Sequence, residues 1–157
     1  MKIALCVLLL AASLAAQAPG TVQPSVELAP VGNLHIQPGG TKRVELDFRV
    51  KVPFHINSNK PHSNLLIPTT LKLVAPNPME IAGIEYPPGE DQTFPFSPNE
   101  KLSVYSGDFT IYVSLKAPTA AKGSRFHVGG ELYFQACDKN ACYPPKRTLV
   151  DFDVRVQ

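Results

Sequence analysis

Apolar and polar residues alternate with a period of two along four long stretches of this chain. Val44, Leu46, Phe48, Val50 and Val52 are interleaved with Glu45, Asp47, Arg49 and Lys51. Phe109, Ile111, Val113 and Leu115 stand against Asp108, Thr110, Ser114 and Lys116, and Leu132, Phe134 and Ala136 against Glu131, Tyr133 and Gln135. Val150, Phe152, Val154 and Val156 alternate in the same way with Asp151, Asp153, Arg155 and Gln157. Successive side chains of a strand point to opposite faces, so each stretch predicts a strand with one apolar and one solvated face. Weaker strand signals cover Ser25 to Leu28, Thr70 to Val74 and Ile81 to Tyr86. Turn clusters separate them at Pro38-Gly39-Gly40, Pro76-Asn77-Pro78, Pro87-Pro88-Gly89 and Lys122-Gly123.

One-sided burial belongs to antiparallel sheets with a solvated face. Seven or so short strands without an amphipathic helix predict one all-β domain, two antiparallel sheets packed face to face as an immunoglobulin-like sandwich. Val44, Leu46, Phe48, Ile111, Val113, Phe134, Phe152 and Val154 are its expected core. The chain has no tryptophan, so the Cys-Trp-Cys core of antibody domains is absent and the likeness is one of architecture.

Met1 to Ala18 read as a secretory signal peptide. Lys2 gives the positive start, Ile3 to Ala12 the apolar stretch, and Ala16-Gln17-Ala18 the small-x-small cleavage pattern, with Ser13-Leu14-Ala15 as a competing site. The expected mature domain is 19–157, exported to the periplasm and not inserted in the membrane, because no later run of about 18 apolar residues exists. Cys6 falls inside the leader, leaving Cys137 and Cys142. A net charge of +2 with 18% charged residues supplies no field for nucleic acid or an anionic membrane. Sixteen prolines suit short strands and many turns.

Candidate chemistry concentrates in Cys137-Asp138-Lys139-Asn140-Ala141-Cys142, followed by Tyr143-Pro144-Pro145. In an oxidising compartment such a pair should form a disulfide unless actively reduced. A bridge closing about six residues stabilises a fold by only roughly 2 kcal/mol on the chain-entropy model, near the least a disulfide contributes. Two readings follow: a redox-active pair in an exposed loop, or a structural staple in a non-catalytic binding or scaffold domain. Lys139, Lys146 and Arg147 would favour a thiolate nearby and Asp138 would oppose it. Pro144-Pro145 stiffens the exit from the loop. His35, His55, His62 and His127 lack the spacing of a zinc set. Glu90, Asp91 and Glu100 are either proton-transfer groups or solvated loop charges. No phosphate loop, serine–histidine–acid pattern or cofactor motif is present.

The run Tyr133-Phe134-Gln135-Ala136-Cys137 with Cys142-Tyr143-Pro144-Pro145 resembles the active-site hairpin of the DsbD amino-terminal domain family, periplasmic modules of the bacterial thiol:disulfide interchange protein. Phe54-His55-Ile56-Asn57-Ser58-Asn59-Lys60-Pro61 leading to Leu66-Ile67-Pro68-Thr69 is similar to a second recurrent block. Tyr86-Pro87-Pro88-Gly89 and Val104-Tyr105-Ser106-Gly107 give a third. The resemblance implies an immunoglobulin-like sandwich that exchanges disulfides through Cys137 and Cys142, without a cofactor. Cys142 would attack partners and Cys137 would resolve, facing away from the core beneath a cap at Phe96, with His55 and Tyr143 lining the site. A thioredoxin-like domain or membrane thiol reductase would supply electrons, and oxidised periplasmic proteins would accept them. Four residues separate the cysteines here, against five in the best-known pattern. The thioredoxin-like and membrane domains that follow in full-length DsbD do not follow here, so the donor is expected to be a separate protein.

Overall fold

The computed structural model describes residues 23–157, so the leader expected at Met1 to Ala18 lies outside the described residues. The described strands are β1 (Val26–Leu28), β2 (Leu34–Ile36), β3 (Thr41–Val50), β4 (His55–Asn57), β5 (Thr70–Val74), β6 (Glu80–Glu85), β7 (Glu90–Phe94), β8 (Ser97–Tyr105), β9 (Asp108–Lys116), β10 (Arg125–Phe134), β11 (Ala136–Cys137) and β12 (Lys146–Val156). No helix occurs among the described residues. The four alternating stretches became β3, β9, β12 and β10 with its extension β11.

Register follows from matching apolar faces, since a slip of one residue would turn every core side chain outward. In the first sheet, ordered β1-β3-β9-β6, Val44 lies opposite Val113, Leu46 opposite Ile111 and Phe48 opposite Phe109. The second sheet runs β2-β12-β10-β5, with Val128 opposite Phe152 and Phe126 opposite Val154. The inner faces of both sheets supply one continuous core that includes all eight residues expected there. At its centre the rings of Phe48 and Phe109 stack with centroids 5.4 Å apart. The domain is an all-β, immunoglobulin-like sandwich.

Four details differ from the sequence reading. Among the described residues twelve strands form where about seven were expected, and a third sheet, ordered β11-β4-β8-β7, adjoins the sandwich. The β2–β12 pairing is parallel in an otherwise antiparallel ladder. Val52 leaves the alternation of β3 and is 80% exposed. The strand ends at Val50, and a turn follows in which the Phe54 N–H donates to the Lys51 carbonyl. The stretch 94–101 around the cap expected at Phe96 is no free loop but the closing end of the β7–β8 hairpin, with Phe94 opposite Ser97 across Pro95-Phe96.

Candidate active site

Two residues of β11 divide the core from the site. Ala136 lies opposite Ile56 of β4, and both are buried in the sandwich core. Cys137 lies opposite His55, one residue along each strand and therefore on the other face. Cys137 thus faces away from the main core, yet it has no accessible surface. Cys142, its disulfide partner, is exposed. An antiparallel bridge joins the two residues, with Cα atoms 3.9 Å apart.

The loop between them is organised by Asp138. Its Oδ1 accepts hydrogen bonds from the Asn140 N–H at 2.7 Å and the Ala141 N–H at 3.0 Å, while Oδ2 accepts one from the Tyr143 hydroxyl at 2.6 Å. Aspartate readily closes turns onto backbone N–H groups two or three residues on. The Tyr143 hydroxyl, then the two N–H groups, hold the Asp138 carboxyl below its ordinary range, and the same bond pushes the Tyr143 phenol up. The Tyr143 ring meets Phe54 edge to face at 5.5 Å. Gln135 donates to the Tyr143 carbonyl at 3.2 Å and accepts from the Asn57 side chain at 3.4 Å. The loop is therefore tied to β4 on both sides.

A column of rings runs out from His55, the strand partner of Cys137. His55 stacks on Phe94 with centroids 3.9 Å apart, and Phe94 stacks on Phe96 at 5.5 Å. The β7–β8 hairpin supplies both phenylalanines and is anchored at its base. The Tyr105 hydroxyl donates to Asn59 Oδ1 and the Pro87 carbonyl, and the Ser58 and Ser103 hydroxyls meet at 2.8 Å. Gly89 makes this approach possible, because a Cβ there would run into Ser103 Oγ and lie 2.7 Å from the Ser58 Cβ. Burial pushes the His55 imidazole down to about 4, partly offset by the Asp138 charge. Its Nε2 and the Asn57 Oδ1 are buried without a hydrogen-bond partner.

Residues 24–154 match a family described as the thiol:disulfide interchange protein DsbD, N-terminal. The chain belongs to this family. The N-terminal periplasmic domain of ScsB from Proteus mirabilis shares the fold, with a TM-score of 0.51 at 9% identity over 81% of this chain and 44% of that one. The reduced N-terminal domain of Neisseria meningitidis DsbD aligns over 85% of this chain and 89% of that one, at 17% identity and a TM-score of 0.40. No curated protein matches the chain. Family and disulfide-forming pair together make this DsbD-type domain a thiol–disulfide exchange module.

The DsbD-type site gathers Cys137, Cys142, His55 and Tyr143, with Phe96 at its margin. The ring lying on His55 is Phe94, which the sequence reading passed over in favour of Phe96, a half-exposed neighbour at the hairpin turn. Two of the three basic residues expected to favour a thiolate are committed elsewhere, and Lys139 is exposed in the loop between the cysteines. Lys146 donates to the Pro24 carbonyl, and Arg147 approaches Glu131 at 3.5 Å and the Tyr133 ring. Asp91 pairs with His62 at 2.7 Å and Glu90 accepts from Gln92, so neither is a spare acid at the cysteines. The histidines disperse: His35 lies on β2, His62 pairs with Asp91 and His127 with Asp153, and only His55 adjoins the disulfide. Among the described residues no helix is long and apolar enough to cross a membrane.

Proposed function

We propose that this domain relays reducing equivalents in the periplasm, with Cys142 meeting partner proteins and Cys137 resolving the mixed disulfides. The observation that carries the assignment is the unequal access of the sulfurs: Cys142 is exposed, and Cys137 is covered. A partner's sulfur must approach along the S–S axis, and only Cys142 offers an open end. In the forward direction the Cys142 thiolate attacks a disulfide of an oxidised periplasmic protein. The target's S–S bond breaks, a mixed disulfide forms, and one target sulfur leaves as a thiolate. Cys137 then attacks Cys142 Sγ, closing the domain's own disulfide and expelling the second target sulfur. Two electrons have moved to the target. A thioredoxin-like domain or membrane thiol reductase restores the dithiol by the reverse steps. Family membership supports a thioredoxin-like partner on one side of this relay.

Trapping tests the roles. Cys137→Ala should accumulate a covalent complex with a thioredoxin-like partner, because the mixed disulfide at Cys142 cannot be resolved, whereas Cys142→Ala should accumulate little. A complex formed only by the Cys142 variant would reverse the assignment. A redox titration supplies the second criterion: a relay requires a potential well above the roughly −300 mV below which structural disulfides lie. A value below that, with no complex from either variant, would make the pair a staple in a binding or scaffold domain.

A further inference from the structure

Resolution by Cys137 raises a proton problem. Only a thiolate attacks a disulfide, and a thiol enclosed in an apolar setting holds its proton more tightly than one in water. Cys137 has no accessible surface through which solvent could take that proton. On its face of the third sheet, beyond β4, strand β8 presents Leu102 and Val104, both buried. Asp138 is adjacent, but its carboxylate already accepts from two backbone N–H groups and the Tyr143 hydroxyl. Glu90 occupies this face of β7 by register, is exposed, and accepts from Gln92. The hairpin turns the uncharged Phe94 ring toward the site.

The remaining base is His55. It is 4% exposed, lies directly opposite Cys137, and keeps Nε2 buried without a partner. Buried polar atoms are almost always paired, so an orphaned ring nitrogen on the strand partner of a buried cysteine needs a reason. Directly opposed residues of an antiparallel pair hold their Cβ atoms about 5 Å apart, a gap an imidazole ring spans. Stacking on Phe94 fixes the plane of that ring. In the disulfide form Cys137 has no thiol proton to share, which leaves the nitrogen idle.

We infer that His55 is the proton carrier of Cys137, a further catalytic side chain of the exchange reaction, taking the thiol proton during resolution and returning one when the disulfide opens. The inference rests on the exchange reading above. During closure the Cys137 S–H proton passes to His55 Nε2, the sulfur's electron pair forms the bond to Cys142 Sγ, and the partner's sulfur departs as a thiolate. The imidazolium then stands beside a neutral disulfide in a buried site that disfavours its charge, and it yields the proton to the departing thiolate. The net change is one dithiol oxidised and one disulfide reduced, with no proton gained or lost. In recharging, Cys137 leaves as a thiolate and is protonated along the same path.

The test follows a two-step reaction of the reduced, full domain with dithiobis(nitrobenzoate). The first coloured thiolate reports attack by Cys142, and the second reports resolution by Cys137. In the wild type the second step should be nearly independent of pH between about 6 and 8, because the base is internal and already neutral. In His55→Gln, and in His55→Phe, which keeps the stack on Phe94, the second step is read as a ratio to the first step of the same variant. Both should slow the second about a hundredfold at neutral pH, the usual scale of general-base catalysis, and make it rise about tenfold per pH unit. A wild-type second step that already rises tenfold per unit overturns the inference whatever the variants do. So does a Phe variant that resolves as fast as wild type, which would make His55 a packing residue. Absence of any second release from the wild type would instead sink the exchange reading itself.

Discussion

Asp138 turns its charge onto its own loop. That choice explains how an acidic residue can sit beside a reactive sulfur pair, because its carboxylate is largely consumed by three donors. Tyr143→Phe removes the strongest of them, so the Asp138 carboxyl should titrate higher than in the wild type, as carboxyl-carbon NMR would show. An unchanged titration would mean that the two backbone N–H groups suffice. The histidine has its own signature. A base held at about 4 in the fold and near 6.5 when unfolded makes the unfolded state bind more protons between those values. Stability of the oxidised domain should therefore be complete above about pH 6.5 and fall toward pH 4, by on the order of 2–3 kcal/mol. Below that, protonation of Asp138 withdraws a further contribution in the same direction. Denaturant titrations across this range should show the first slope vanish in His55→Gln. At this scale the two cysteines, His55 and Tyr143 were legible in the sequence. Phe94 was not, because Phe94 and Phe96 flank one proline and nothing in the sequence says which ring turns toward His55. The Asp138 turn was readable in principle, since an aspartate two residues before asparagine in a short loop is a turn former.

Among the elements, the β7–β8 hairpin determines who reaches the buried sulfur. Ring pairs of this kind are worth about 0.5–1.5 kcal/mol beyond their burial, and a barrier change of about 1.4 kcal/mol is tenfold in rate. Phe94→Ala should therefore speed reduction of the disulfide by dithiothreitol up to about tenfold, and Phe96→Ala should do distinctly less. Equal effects from both would show that the hairpin tip as a whole, and not the ring on His55, is the cover. The hairpin escaped the sequence reading because its strands carry Glu90-Asp91-Gln92-Thr93 and Ser97-Pro98-Asn99-Glu100-Lys101, with little apolar alternation. β4 escaped for the opposite reason: His55, Ile56 and Asn57 are all buried, Ile56 toward the sandwich and its neighbours toward the site, so the strand has no solvated face to mark the period. β3, β9 and β12 were legible because each has one face in the core and one in water.

For the whole molecule, stability resides in the sandwich and chemistry in the third sheet. Phe48 and Phe152 are buried in the common core, and truncating either to alanine should cost roughly 3–5 kcal/mol, readable as a shift in the denaturation midpoint. Replacing both cysteines with alanine should cost only about 2 kcal/mol and leave the β-type circular dichroism spectrum intact. A double variant that fails to fold would place the disulfide among the elements that hold the domain together.

The two-residue strand β11 has a consequence for how such a domain can change over time. Ala136 belongs to the packing and Cys137 to the reaction, and the four residues that follow project beyond both. Nothing in the sandwich is tiled against Lys139 or Asn140, which are exposed. An insertion at that tip therefore alters the spacing of the sulfurs while every inter-sheet contact stays in place, so loop length can drift between lineages, or be reset by a designer, as a parameter separate from the scaffold.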